Sequence, residues 1–340
     1  MFYEYALIPD IFSPDLLYCD PLSETVVTQL LEGIAHNGMI ADLHKGGLKT
    51  LIGNLVDSIP DDDPDERRKS PRSDLQACLE LLKDRNRFVR HPKSPIAEPK
   101  DASDWLNLAL QSHRRQPFDG IVMCDPLYQS AGMPAYAEAA PLHRALKALF
   151  WTSRKPGVTI CKRVGDFAKV LGPILRHAKA VTLIDPYIDP RVSRWLNIIR
   201  LLGQLVGNQG GRGSSSWNAR IQIHAGDPTK DRQPQTPQER LAVWRQELRH
   251  LPAGFRVSVY LWSKDISGPD LHDRFVITNQ CGITCPGGLD CYEDSSTSSE
   301  ANKTSTWSLM SHESTARHHG EYSENAGLYK LLNPNDLTAR

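Results

Sequence analysis

The sequence lacks an excess of either charge: 40 Lys and Arg stand against 40 Asp and Glu in 340 residues, a formal net charge of +0. That excludes a uniformly basic nucleic-acid binder while leaving room for a local basic groove. It also lacks any apolar run near the roughly 20 residues that span a bilayer, so no membrane partner is expected. The opening Met1-Phe2-Tyr3-Glu4-Tyr5 has neither the basic nor the apolar segment of a secretory signal, which points to a cytoplasmic location. Cysteine is sparse, with seven scattered residues at positions 19, 78, 124, 161, 281, 285 and 291. An odd, dispersed set in a chain this long suggests reduced thiols rather than a disulfide framework. What is present is ordinary for a globular protein: 40% hydrophobic and 24% charged residues can build a real core. Single cores stop growing at roughly 250–300 residues, so two domains are expected.

The texture divides accordingly. Residues 1–150 read as mainly helical, with apolar spacing from Ser23 to about Ile40, over Leu48–Leu55, at Leu75–Lys83 and at Trp105–Gln111. One short buried strand is expected there, at Asp119–Pro126. The charged, proline-punctuated run 61–69, the Pro-rich run His91–Pro99 and Arg114-Arg115 read as exposed surface. Residues 160–335 alternate helix and strand. Strands are expected at Ala180–Ile184, Ala219–His224, Arg256–Trp262, Arg274–Thr278 and Thr306–Met310, with helices at Trp195–Val206 and Gln238–Leu251. Asn208–Ser216, rich in Gly and Ser, reads as a linker loop. Strands separated by helices of 10–15 residues imply βαβ units, so the fold class is α/β, with a mixed or parallel sheet flanked by helices in the C-terminal half.

The chemistry concentrates in Leu271-His272-Asp273-Arg274-Phe275-Val276-Ile277-Thr278-Asn279, followed by Gly287-Gly288-Leu289-Asp290. Side chains at i and i+2 of a strand share a face, so His272 and Arg274 should project together while Phe275 and Ile277 turn toward a core. Imidazole beside guanidinium suits phosphodiester chemistry. The first attacks phosphorus or protonates a leaving oxygen. The second neutralises the non-bridging oxygens with a permanent charge. Glycines just downstream permit close backbone approach, so the amides of Gly287 and Gly288 are expected to bind phosphate together with Arg274.

These residues resemble the phospholipase D superfamily, whose signature is H-x-K-x4-D followed by a Gly-Ser-type turn. His272 stands at the His position, Arg274 at the Lys position and Asn279 at the Asp position, and Gly287-Gly288-Leu289-Asp290 falls where the family has its turn. The strand running into Asp185-Pro186-Tyr187-Ile188 also looks like the strand that opens one repeat of that fold. The resemblance covers about 170–320. It implies a phospholipase D-like catalytic domain and a metal-independent phosphodiesterase working through a phosphohistidine, with no cofactor. The expected cytoplasmic setting and the lack of a membrane-binding amphipathic helix favour a nucleic acid, DNA or RNA, over a phospholipid head group as substrate, and the resemblance further implies an effector of a bacterial defence or restriction-type system. Residues 1–150 would then supply regulation or contacts to a partner protein.

Two departures have consequences. Asn279 carries no carboxylate, so Asp290, Glu293 or Glu313 would have to stabilise the imidazolium. The superfamily uses two histidines where one motif is found here, which implies a homodimer with the site on its two-fold axis; His312, His318 or His319 would serve within one chain instead. Asn279 reads equally as a site residue and as a turn residue. Asp185 reads as a turn or cap residue or as a site residue at a strand end, and Tyr187 as a packing residue or a stacking platform. A different reading treats the chain as a catalytically degenerate interaction module for nucleic acid or protein. Cys281, Cys285 and Cys291 miss the usual C-x2-C spacing, so no metal site is expected.

Overall fold

The structure, a computed structural model, describes residues 1–44, 46–60, 70–90, 98–135, 137–206, 219–226, 236–251, 255–263, 272–323 and 328–333. The run 61–69, residues 91–97 of the Pro-rich run and the loop 208–216 lie outside them. The chain forms two compact units that part at Lys155–Pro156.

The N-terminal unit is β1 (Tyr3–Leu7), α1 (Pro14–Cys19), α2 (Pro21–Asn37), β2 (Gly38–Asp42), α3 (Gly47–Asp57), α4 (Arg72–Asp84), β3 (Phe88–Arg90), α5 (Ala102–Arg115), β4 (Gly120–Met123), α6 (Asp125–Ser130), β5 (Ala139–Pro141), α7 (Leu142–Ala145) and α8 (Leu149–Thr152). The expected helices are there, but they cover a five-stranded sheet of order β3-β2-β1-β4-β5 with every pairing parallel. Only β4 was foreseen, so "mainly helical" understates this unit: it is α/β. Parallel strands buried on both faces show no alternation, and these run to five residues or fewer. The helix expected to reach Ile40 stops at Asn37, because Gly38–Asp42 is a fully buried strand. Asp20 caps the start of α2 by accepting from the Leu22 amide at 3.0 Å, and Val27, Leu30, Leu31 and Ile34 fill the space against the sheet.

The C-terminal unit continues with β6 (Gly157–Cys161), α9 (Val164–Leu175), β7 (Ala180–Ile184), α10 (Ser193–Leu205), β8 (Arg220–Gly226), α11 (Pro237–Glu247), β9 (Arg256–Ser263), β10 (Phe275–Thr278), β11 (Gly282–Thr284), β12 (Thr304–Leu309), α12 (His312–Glu321) and β13 (Lys330–Leu331). Its mixed sheet has the order β13-β9-β8-β7-β10-β11-β12-β6. The β7, β8 and β9 strands run parallel, joined through α10 and α11 as βαβ units, whereas β10 runs antiparallel beside β7. Thr236 and Glu239 close a capping box on α11. On one face Trp307 packs 4.5 Å from Phe167 of α9; on the other Phe275 and Ile277 pack with Met310 and Tyr322, the core-facing side expected for them.

The register positions the site. Phe275 pairs with Ile184, and Ile184 with His224. The segment entering β10 therefore lies beside the segment leaving β7, at the carboxyl edge of the parallel strands, where open α/β sheets gather ligands.

Candidate active site

His272 and Arg274 precede β10 rather than sitting in its ladder, which begins at Phe275. They meet on Tyr187, three residues beyond the end of β7. The Tyr187 hydroxyl lies 2.9 Å from His272 Nδ1, and the two rings stack at 24° with centroids 6.4 Å apart. The Arg274 guanidinium lies over the same tyrosine ring, its Cζ 4.9 Å from the centroid. Its Nη1 donates to the Pro286 carbonyl at 2.6 Å, and its Nε is 3.8 Å from Asp185 Oδ1. The imidazole and the guanidinium thus share one partly exposed platform.

Asp185 is the hub beneath them. It is 0% exposed, accepts from the Tyr187 amide at Oδ1 and from the Leu289 amide at Oδ2, both at 2.9 Å, and faces Arg274. Burial pushes its pKa up to about 6, against the opposing pull of those two amides and of Arg274. One carboxylate therefore ties the tyrosine platform, the guanidinium and the glycine turn to a common point. Of its two sequence readings, the structure gives it both a turn role and a place in the site.

The glycines do not act as expected. The Gly287 amide donates to Ser305 Oγ of β12 at 3.0 Å and the Gly288 amide to the Cys285 carbonyl at 2.8 Å, so both are engaged within the protein rather than offered to a phosphate. Their smallness is what matters. A Cβ on Gly287 would lie 2.5 Å from the Ser305 side chain. Gly288 has φ +94°, and a Cβ there would lie 3.0 Å from Asp290 Oδ1, 3.5 Å from Asp185 Oδ2 and 3.6 Å from Arg274 Cδ. Gly288→Ala is expected to cost about 1–2 kcal/mol through left-handed backbone strain. A thermal melt reads this as a drop of several degrees, and an unchanged melting temperature would contradict the turn geometry.

The remaining predicted residues divide. Asp290 adjoins the turn but serves two other cations, with Lys162 Nζ at 2.6 Å from Oδ1 and Arg194 Nε at 3.7 Å from Oδ2. Asn279 sits at the opposite end of β10, where its Oδ1 accepts from the amides of Lys179 (2.8 Å) and Ala180 (3.4 Å); it pins the start of β7 and is not brought to the site. Glu313 is exposed in the first turn of α12, a helix that covers the Phe275 side of the sheet, so the structure does not unite it with Arg274 either. On that helix His318 bonds Glu321 at 2.6 Å and packs 4.3 Å from the Phe275 ring. His224, which nothing in the sequence marked, accepts from Trp262 Nε1 at 3.0 Å between stacked aromatic rings, and burial pushes its pKa down to about 3. Cys281, Cys285 and Cys291 are buried free thiols, and burial raises the pKa of the latter two.

No family model matches the chain, and no curated protein does. Among solved structures it is similar to TrmBL2, an archaeal chromatin protein whose structure shows a novel mode of DNA binding, at 13% identity and a TM-score of 0.25, over 93% of this chain and 97% of that one. Likeness at that level carries no argument. The class its fold defines is an α/β protein of two units. Among the described residues no helix is long and apolar enough to cross a membrane.

Proposed function

We propose that this chain is a phosphodiesterase acting on nucleic acid through a phosphohistidine. The observation that carries the reading is the meeting of His272 and Arg274 on the Tyr187 ring above buried Asp185. When His272 Nδ1–H donates to the Tyr187 oxygen, Nε2 keeps its lone pair and attacks phosphorus. Arg274 neutralises the non-bridging oxygens as charge builds. The bond from phosphorus to the leaving oxygen breaks, and that oxygen takes a proton from a second imidazole. Water then attacks the phosphohistidine, returns a proton to that second imidazole and frees His272.

The second imidazole comes from the His272 of a second copy across a two-fold axis, so the working unit is a homodimer. Two histidines of this chain are poor substitutes. His224 is buried and held in its neutral form, too weak an acid to protonate a leaving oxygen, while His318 is engaged by Glu321. The replacement of Asp by Asn at position 279 does not argue for lost catalysis, since Asn279 works at the far end of β10 and Asp185 supplies a carboxylate beside Arg274. An effector role in a bacterial defence or restriction-type system, with the N-terminal unit contacting a partner protein, rests on the family resemblance alone.

The test is hydrolysis of an end-labelled oligonucleotide in excess chelator, with parallel samples quenched in base. Chelator-resistant cleavage and a base-stable, acid-labile protein adduct are expected. Cleavage of phospholipid vesicles but not of oligonucleotides would move the substrate class. Oligonucleotide binding weakened by salt and by Arg274→Ala, with no hydrolysis of either substrate, would replace the enzyme by a binding module.

A further inference from the structure

We infer that Arg194, backed by the Lys162–Asp290 ion pair, forms a second phosphate subsite beside the first, so that the substrate is a chain spanning at least two consecutive phosphates; this rests on the phosphodiesterase reading. The position of Gly288 carries the argument. Its Cα face abuts Asp290, Asp185 and Arg274 at once, so the Asp290 ion-pair cluster and the Arg274 platform are separated by the breadth of one glycine. Any side chain there would stand between them.

The two cations are placed rigidly. The Cys291 amide donates to the Arg194 carbonyl at 3.0 Å, and the Tyr292 amide to the Lys162 carbonyl at 2.8 Å, so the segment after the glycine turn is stitched to both backbones. Asn197 Nδ2 holds the Cys291 carbonyl at 3.0 Å, and Cys291 is wholly buried. Lys162 and Asp290 are nearly enclosed, at 15% and 13% side-chain exposure, whereas Arg194 is 43% exposed.

This gradient separates their roles. Lys162 neutralises Asp290 at 2.6 Å and fixes the carboxylate in place. Asp290 in turn lies 3.7 Å from the Nε edge of Arg194, whose side chain is nonetheless 43% exposed and so accessible to a ligand. A guanidinium oriented from behind by a carboxylate suits bidentate capture of a phosphate. With Arg274 and Arg194 on either side of the glycine turn, a single-phosphate ester engages only the first, while a polynucleotide engages both.

The test compares Arg194→Ala with wild type on a decanucleotide and on bis(p-nitrophenyl) phosphate. The ratio of the two KM values, oligonucleotide over small ester, is expected to rise about tenfold, with the salt slope of oligonucleotide binding reduced by about one. A ratio and slope equal to wild type, from a protein with an unchanged melting temperature, would overturn the subsite. Should neither substrate be turned over by wild type, the phosphodiesterase reading fails. The subsite is then judged by fluorescence anisotropy with the same decanucleotide, where undiminished affinity of Arg194→Ala would overturn it.

Discussion

His272→Ala is expected to lower phosphodiester hydrolysis by at least about a thousandfold while leaving the melting temperature almost where it was. Under the proposed mechanism the substitution removes the nucleophile and with it the covalent route, and in the proposed homodimer it also removes the group that protonates the leaving oxygen. The fold should not suffer, because His272 is an exposed residue outside the β10 ladder, and substitutions of that kind usually stay within about 0.5 kcal/mol. The measurement is kcat on a labelled oligonucleotide in chelator, beside a thermal melt of the same sample. Equal rates would end the assignment, and a rate lost together with the fold would show that His272 is a structural residue. Mixed dimers of wild type and His272→Ala sharpen the point: one intact imidazole per site cannot both attack and protonate, so mixing should inactivate more sites than the wild-type share predicts.

The second large effect concerns stability. Asp185 titrates near 4 in an unfolded chain and at about 6 in the folded one, because burial disfavours its charge more than the Leu289 and Tyr187 amides and Arg274 favour it. The folded state therefore binds the proton more tightly. Its contribution is most favourable below pH 4 and is lost as pH rises toward and through 6. A shift of this size corresponds to about 3 kcal/mol. Asp185→Asn deletes the titration. Between pH 4 and pH 7.5 the difference in unfolding free energy is expected to move by about 2–3 kcal/mol in the variant's favour, as read by urea titrations at several pH values. Parallel curves would show that the carboxyl is not desolvated. The variant still loses something at every pH: its amide presents one acceptor where Asp185 accepts from two backbone N–H groups. Asp10 and Asp42 are also raised by burial, so only the difference between the two proteins isolates this group.

How much of this was legible depends on separation along the chain. His272 and Arg274 could be paired from spacing because they are two residues apart. Strands β7, β8, β9 and β10 could be found because each is a distinct apolar run between helices or turns. The N-terminal sheet was largely hidden: β3 and β5 have only three residues each, and β2 follows α2 directly, its first residue Gly38 next to the last residue of the helix. Asn279 matched a motif position, yet the length of β10 carries it to the opposite edge of the sheet from Arg274. Glu313 was attractive because it is acidic and follows a strand, a criterion blind to which face its helix covers. Lys162 and Arg194 carried no signal, since each lies about 100 residues or more from the turn it joins and no local pattern encodes that pairing.

The amino-acid order alone determined the alternation that makes an α/β protein and the local partnership of one imidazole with one guanidinium. These are properties of neighbours, set by backbone sterics and a strand's two-residue period. Only the folded chain decided that Asp185 would lie beneath Arg274, that Tyr187 would hold His272, that the glycine amides would turn inward, and that Arg194 would stand across the turn. Each of those depends on which strand lies beside which, and that is settled by burying apolar faces over the whole unit.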